Sequence, residues 1–547
     1  MRRRYGRPLG VAAVLGVGWW ASPAAAALPQ QLGNVDLLTQ ADIRIDGPSM
    51  TSGVGYPVAS AGDVNGDGID DVLLTASGAG NNDRLLSGSV YVVFGSATPR
   101  ATVDLADLGA AGYRIDGALP GDQAGMSAAG VGDVNGDGLD DVLVGAPAAD
   151  VNGRTDSGSA YVVFGTRHPA NVDLQAPGGD AYRIDGVAAK DETGLVVAAA
   201  GDVNGDGHAD LAITAMGAGN NARFGSGSVY VVFGTATATN VDLASSPWAG
   251  YRIDGASLNG HIGSALADVG DVNGDGRPDL AIGDPRAADN NRSDSGSVTV
   301  VFGTAQSGSL DLAHPDERGY RIDGPIGLGY AGASVAGAGD VNGDGHADLV
   351  LGAPGVSAGG RQSSGAAFVV FGKGSKEGID LAALGRGGYR VDGPEAGDSL
   401  GTSVAGVGDV NGDGRPDLAL GAQTAGAVFV PIYPASTPEQ IAYIIRGFTE
   451  EIRNIVAAHD RARFDRCHLM GFGESALQFE ISYVVLAPDY ATHVELQQAI
   501  NLAIIERFGA MGVEFAYPTR TVMMETTPGA APPPSAATSA AAAPARS

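Results

Sequence analysis

From about residue 34 to residue 433 the apolar positions fall in runs of four to seven residues, rich in Val, Ile, Leu, Tyr and Phe and closed by Gly or Pro. Runs of that length and make-up predict strands rather than helices. They return in a fixed order. One unit, Tyr113 to Gly165, reads YRIDG, a run of small residues, the acidic loop GDVNGDG, the apolar DVLVGAP and then SAYVVFG. Each unit therefore predicts about four short strands, the content of one propeller blade. After Thr437 the pattern changes. Ile441, Ile444, Ile445, Phe448, Ile452 and Ile455 stand at helical spacing, with Thr437 as cap and Pro438 in the first turn. Two strands turning at Gly473–Ser475, a second helix (HVELQQAINLAIIERFGAMG) and a closing strand (VEFAYPTRTV) complete an αββαβ order. The predicted fold class is mainly β: a six-bladed β-propeller over 34–433, then a small α+β domain over 438–526. Residues 527–547, rich in Ala and Pro, read as a disordered tail.

The blade count comes from the period. The first Asp of each acidic loop stands at 63, 133, 202, 271, 340 and 409, in steps of 70, 69, 69, 69 and 69. A period of this length marks a repeat architecture. RIDG or RVDG also occurs six times, at 44, 114, 183, 252, 321 and 390, and its first copy precedes the first loop. The last loop is followed by DLALGAQ and AVFVPIY but by no further copy. The segment at Arg44 is thus a spare outer strand, and the sixth blade lacks one. Pairing the two would close a ring and remove its open edges.

In DVNGDGIDD the spacing sets oxygen donors at positions one, three, five and nine, and the backbone carbonyl at position seven adds another. Gly66 and Gly68 let the loop curl so that alternate side chains converge. Oxygen donors in this number suit calcium, up to six ions in all. The expected ligands are Asp63, Asn65, Asp67, Ile69 and Asp71; Asp133, Asn135, Asp137, Leu139 and Asp141; and Asp202, Asn204, Asp206, His208 and Asp210. The later copies give Asp271, Asn273, Asp275, Arg277 and Asp279; Asp340, Asn342, Asp344, His346 and Asp348; and Asp409, Asn411, Asp413, Arg415 and Asp417. An EF-hand would need a Glu at position twelve, where this chain has Leu74, Val144 or Ile213 on a strand.

The formal net charge of −29 argues against a nucleic-acid partner, since phosphate binding needs a basic surface. Residues 1–27, with an Arg-rich start, an apolar stretch and small residues near Ala24–Ala27, have the form of a secretory signal peptide. Left uncleaved, the segment would be a membrane anchor. One cysteine, Cys467, allows no internal disulfide framework, so an exported chain needs another staple, and calcium would serve. The eight histidines form no H-E-x-x-H or H-x-x-x-H pattern, and Ser475 lacks the G-x-S-x-G frame. No catalytic residue is expected, and the chain is read as a binding protein rather than an enzyme.

VVFG at 92–95, 162–165 and 231–234, with GAP at 145–147 and 352–354 around the acidic loops, resembles the FG-GAP repeat of integrin α-chain propellers. The resemblance implies calcium in the blade loops and adhesion or ligand binding outside the cell, to a protein or a glycan. Integrin propellers have seven blades, where this sequence counts six. The segments RFDRCHLMGFGESALQFEISYVVLAPDY and LQQAINLAIIERFGAMGVEFAYPTRTV resemble the C-terminal domain of small-conductance mechanosensitive channels. That resemblance implies a homo-oligomer formed through 438–526, while the pore helices of that family are absent from the sequence. Two other readings stand beside adhesion: a component or rearranged relative of a mechanosensitive channel assembly, and a glycan-active enzyme using the propeller face.

Overall fold

The computed structural model describes residues 43–48, 53–98 and 102–422 apart from 238, 289, 315–317 and 411–413, together with 427–429, 455–459, 462–472 and 477–485. The chain divides into two units, Met1–Thr437 and Pro438–Ser547.

The first unit is a six-bladed β-propeller. In the second blade the innermost strand is Ser127–Gly132, followed outward by Asp141–Ala146, Ser159–Val163 and Ala181–Asp185, each antiparallel to the last. The outermost strand is the YRID segment of the next sequence unit. Blades one, three, four and five repeat this order, with outer strands Gly112–Asp116, Gly250–Asp254, Gly319–Asp323 and Gly388–Asp392. The sixth has Leu400–Gly408, Asp417–Ala422 and Ala427–Phe429.

The two middle strands are buried at every position in the second, third and fifth blades, as in Asp141–Ala146 and Ser159–Val163. They are sandwiched between neighbouring blades, so both faces must be apolar, and the runs are continuous rather than alternating. Val142, Val144 and Val163 are fully enclosed, each contributing about 1.5–3 kcal/mol of hydrophobic burial. The innermost strands are rich in Ser, Ala and Gly, and successive blades approach closely there: a methyl group on Gly130 would lie 2.7 Å from Ala61 O of the blade before.

At four junctions among the described residues a fifth strand ties one blade to the next. Val172–Asp173 runs parallel to Gly112–Asp116, and Val241–Asp242, Gly308–Asp311 and Ile379–Asp380 do the same at later junctions. A side-chain clasp sits on each. Arg84 Nη2 bonds Asp173 at 2.6 Å, and Asn82 Nδ2 donates to both Asp116 (3.1 Å) and Asp173 (3.3 Å). Arg154 and Asn152 hold Asp242 and Asp185 in the same way, as do Arg223 with Asn221 and Arg292 with Asn290 one and two blades on. The four asparagines adopt positive φ between 51° and 54°, a conformation asparagine tolerates better than most residues.

Arg44–Asp46 pairs in parallel with Thr102–Asp104, so it occupies an outer-strand position ahead of the first blade. No pairing between Arg44–Asp46 and Ala427–Phe429 occurs among the described residues. In the second unit, Ala462–Phe472 and Leu477–Val485 form an antiparallel hairpin, with Cys467 opposite Ile481 and His468 opposite Glu480. Of the expected first helix only residues 455–459 are described, and 455–457 are helical; the rest of that helix, the second helix, the closing strand, the signal segment and the tail lie outside the described residues. Among the described residues no helix is long and apolar enough to cross a membrane.

Candidate metal centre in the acidic loops

Each acidic loop joins the innermost strand of a blade to the second, so all six lie at one end of the propeller. Their internal hydrogen bonds repeat. In the first loop Asp63 Oδ1 accepts the backbone N–H of Gly66 (2.8 Å) and Asp67 (3.0 Å), and Oδ2 accepts that of Gly68 (2.8 Å). Asp133, Asp202, Asp271 and Asp340 do the same. In the sixth loop Asp409 Oδ2 accepts from Gly414 at 2.7 Å. Asp67, Asp137, Asp206, Asp275 and Asp344, at position five, accept the N–H of Ile69, Leu139, His208, Arg277 and His346.

Position nine opens the second strand and is buried. Asp71 Oδ1 accepts the N–H of Gly95, the glycine that ends VVFG, at 2.8 Å, and Asp141, Asp210, Asp279 and Asp348 bond Gly165, Gly234, Gly303 and Gly372 alike. The second oxygen accepts from Val64, Val134, Val272 and Val341, and from Asn204 in the third loop. Asp417 holds Val410 in the sixth. The role of that glycine as the partner of position nine is not apparent from the loop sequence, although its constant offset of 24 residues is a usable signal.

Burial pushes Asp71, Asp141, Asp210, Asp279 and Asp348 up to about 7, and the like charges at positions five and one add to the effect against the lowering by backbone N–H groups. The position-three amides donate to carboxylates of their own loop, at position five or position nine. Asn135 Nδ2 donates to Asp137 and Asn342 Nδ2 to Asp344, both at 3.0 Å, while Asn65, Asn204 and Asn273 reach Asp71, Asp210 and Asp279. Asn411 and Asp413 lie outside the described residues. Among the described residues no three His, Cys, Asp or Glu side chains close into a metal cage. Their oxygens are turned to loop N–H groups instead. The donor set nevertheless fits a hard cation: three carboxylates per loop repel one another, and a half-turn of the asparagine amide exchanges its nitrogen for its oxygen.

Successive loops also touch. Asp140 N donates to Asp63 O at 3.3 Å, and Ala209 and Ala347 donate to Asp133 O and Asp271 O at 3.0 Å. Position eight of one loop is thus bonded to position one of the loop before it.

With this geometry in place, comparison with known proteins decides what the units are. Residues 55–93, 124–163, 194–232, 265–301, 331–370 and 400–430 each match the FG-GAP repeat. They are FG-GAP repeats. Phosphatidylinositol-glycan-specific phospholipase D of Rattus norvegicus is 34% identical over 229 residues, which is 42% of this chain and 26% of that protein. Integrin alpha-PS2 of Drosophila melanogaster is 30% identical over 236 residues, 42% of this chain and 15% of the integrin. Integrin alpha pat-2 of Caenorhabditis elegans is 30% identical over 288 residues, 50% of this chain and 21% of its own length. The chain therefore spans about a quarter or less of the length of these relatives.

Proposed function

We propose that this chain is an exported, calcium-binding FG-GAP propeller that holds an extracellular protein or glycan ligand, and that it binds through the end opposite the acidic loops. The carrying observation is where large apolar side chains are exposed. In an up-and-down blade the connections from second to third strand, and from one blade to the next, share the end away from the loops. Leu85 and Phe224 stand on the first kind of connection, and Leu119, Leu258 and Leu328 on the second; all five are exposed, Phe224 at 78%. The backbones beneath them are zipped together. Gly121 N donates to Leu85 O, Asn259 N to Phe224 O and Leu328 N to Ser293 O. Exposed apolar groups on hydrogen-bonded, pre-ordered loops characterise an interaction surface. The likeness to integrin α-chains supports adhesion or ligand binding.

Calcium would be held by positions one, three, five and nine and the carbonyl of position seven. Bound there, it would supply the charge that keeps the acidic loops folded at the opposite end. We further propose that residues 438–526 gather the chains into a homo-oligomer, which would raise avidity by about 10²–10⁴-fold with no new contact at the binding face. Light scattering of the full chain would then give a mass above 54.7 kDa. The function itself is tested on glycan and protein arrays with and without calcium. Phe224→Ala combined with Leu258→Ala should abolish capture and leave the melting temperature unchanged. Capture that survives in the double variant would place the ligand elsewhere.

A further inference from the structure

We infer that the side chain at position seven of an acidic loop sets the cation affinity of the loop before it, one blade upstream, and that Arg277 weakens loop 202–210. The inference rests on the reading that these loops hold calcium. Position seven does not lie over its own loop. A methyl group placed on Gly136, the fourth residue of the second loop, would stand 2.7 Å from His208 Cε1. On Gly274 it would stand 2.6 Å from His346 Cε1, and on Gly205 3.4 Å from Arg277 Nε. On Gly66 it would meet Leu139 Cδ2 at 2.8 Å and Arg167 Nε at 2.9 Å. These glycines have φ from +74° to +78° and no side chain, so the next repeat's residue rests directly on the backbone of the loop.

The loops consequently fall into two kinds. Loops 133–141 and 271–279 lie under an imidazole. Loops 63–71 and 202–210 lie under a guanidinium, from Arg167 (outside the motif, with Leu139 at position seven there) and from Arg277, and a fixed positive charge against the backbone of a loop that carries three aspartates opposes a second cation. Gly343 has no neighbour within 4 Å of such a methyl group, so Arg415 does not rest on it as Arg277 does on Gly205. The carbonyl of position seven is the donor expected for its own loop, while its side chain lies over the one before. The same residue thus belongs to two sites, a division that the linear motif hides.

The test is a calorimetric calcium titration of the full chain. Arg277→Gln keeps the carbonyl and the aliphatic stem and removes the charge, and it should tighten one site by about 2–5-fold at moderate salt. The tightening should persist when Asp271→Ala disables the arginine's own loop, and vanish when Asp202→Ala disables the loop before it. Arg167→Gln with Asp63→Ala gives an independent pair for the first loop. A gain that vanishes with Asp271→Ala instead, or no gain in either arginine variant, overturns the inference and leaves calcium binding standing. Absence of calcium binding in the unmodified chain overturns both.

Discussion

Asp71, Asp141, Asp210, Asp279 and Asp348 each start a buried strand with both oxygens occupied by backbone N–H groups, yet burial and two neighbouring aspartates hold them near 7. The folded, ion-free chain therefore binds protons at these groups more tightly than the unfolded chain, whose carboxyls titrate near 3.9. Stability from them is full at acid pH and is lost as pH rises from about 4 through about 7. A cation reverses the sign, because it favours the ionised carboxylate and competes with protons. Thermal melts in chelator should rise as pH falls from 8 to 5.5, whereas melts in millimolar calcium should fall over the same range. Parallel profiles in the two media would show that these aspartates do not respond to calcium.

At the scale of strand and loop, the closing glycine of VVFG is the joint between blades. A methyl group on Gly165 would lie 2.5 Å from Asp140 O and 2.9 Å from Val64 O, so it would push on the backbone of two successive acidic loops. Gly165→Ala should cost about 1–3 kcal/mol in a chemical melt; an unchanged midpoint would mean that the joint yields freely. The strands and loops were legible in the sequence because each unit repeats the same apolar runs at the same spacing. The joints were not. Arg154 and Asp242 are 88 residues apart, and their pairing becomes visible once the next unit's short VD strand lies along the preceding blade. His208 and His346 enter the linear motif only through their carbonyls for the same reason, since what their rings cover belongs to another repeat. The continuous burial of Asp141–Ala146 explains why apolar runs, rather than alternation, carried the strand prediction.

Over the whole propeller the innermost strand is most exposed in the sixth blade, Leu400–Gly408, whereas its counterpart Ser127–Gly132 is buried or half-buried throughout. Val64, Val134, Val203 and Val272, at position two of their loops, are 0–1% exposed beneath the following blade, whereas Val410 is 56% exposed and Val407 37%. Arg44–Asp46 waits at the other end with one edge paired. Ring closure through this strand would remove a free edge, so deleting residues 28–50 should produce aggregates or strand-exchanged dimers. A deletion variant that stays monodisperse and as stable as the full chain would refute closure by that strand. The account as a whole turns on calcium. Sites of the extracellular kind bind at about 10⁻⁴–10⁻³ M. At ten times the dissociation constant each loop adds about 1.4 kcal/mol and six add about 8, comparable to the 5–15 kcal/mol of a typical domain. The direct measurement is a thermal melt of the full chain at pH 7.5, in 10 mM calcium and in excess chelator. A melting temperature that drops by ten degrees or more in chelator, and recovers when calcium is restored, is the predicted result; superimposable melts would contradict the calcium-loaded propeller.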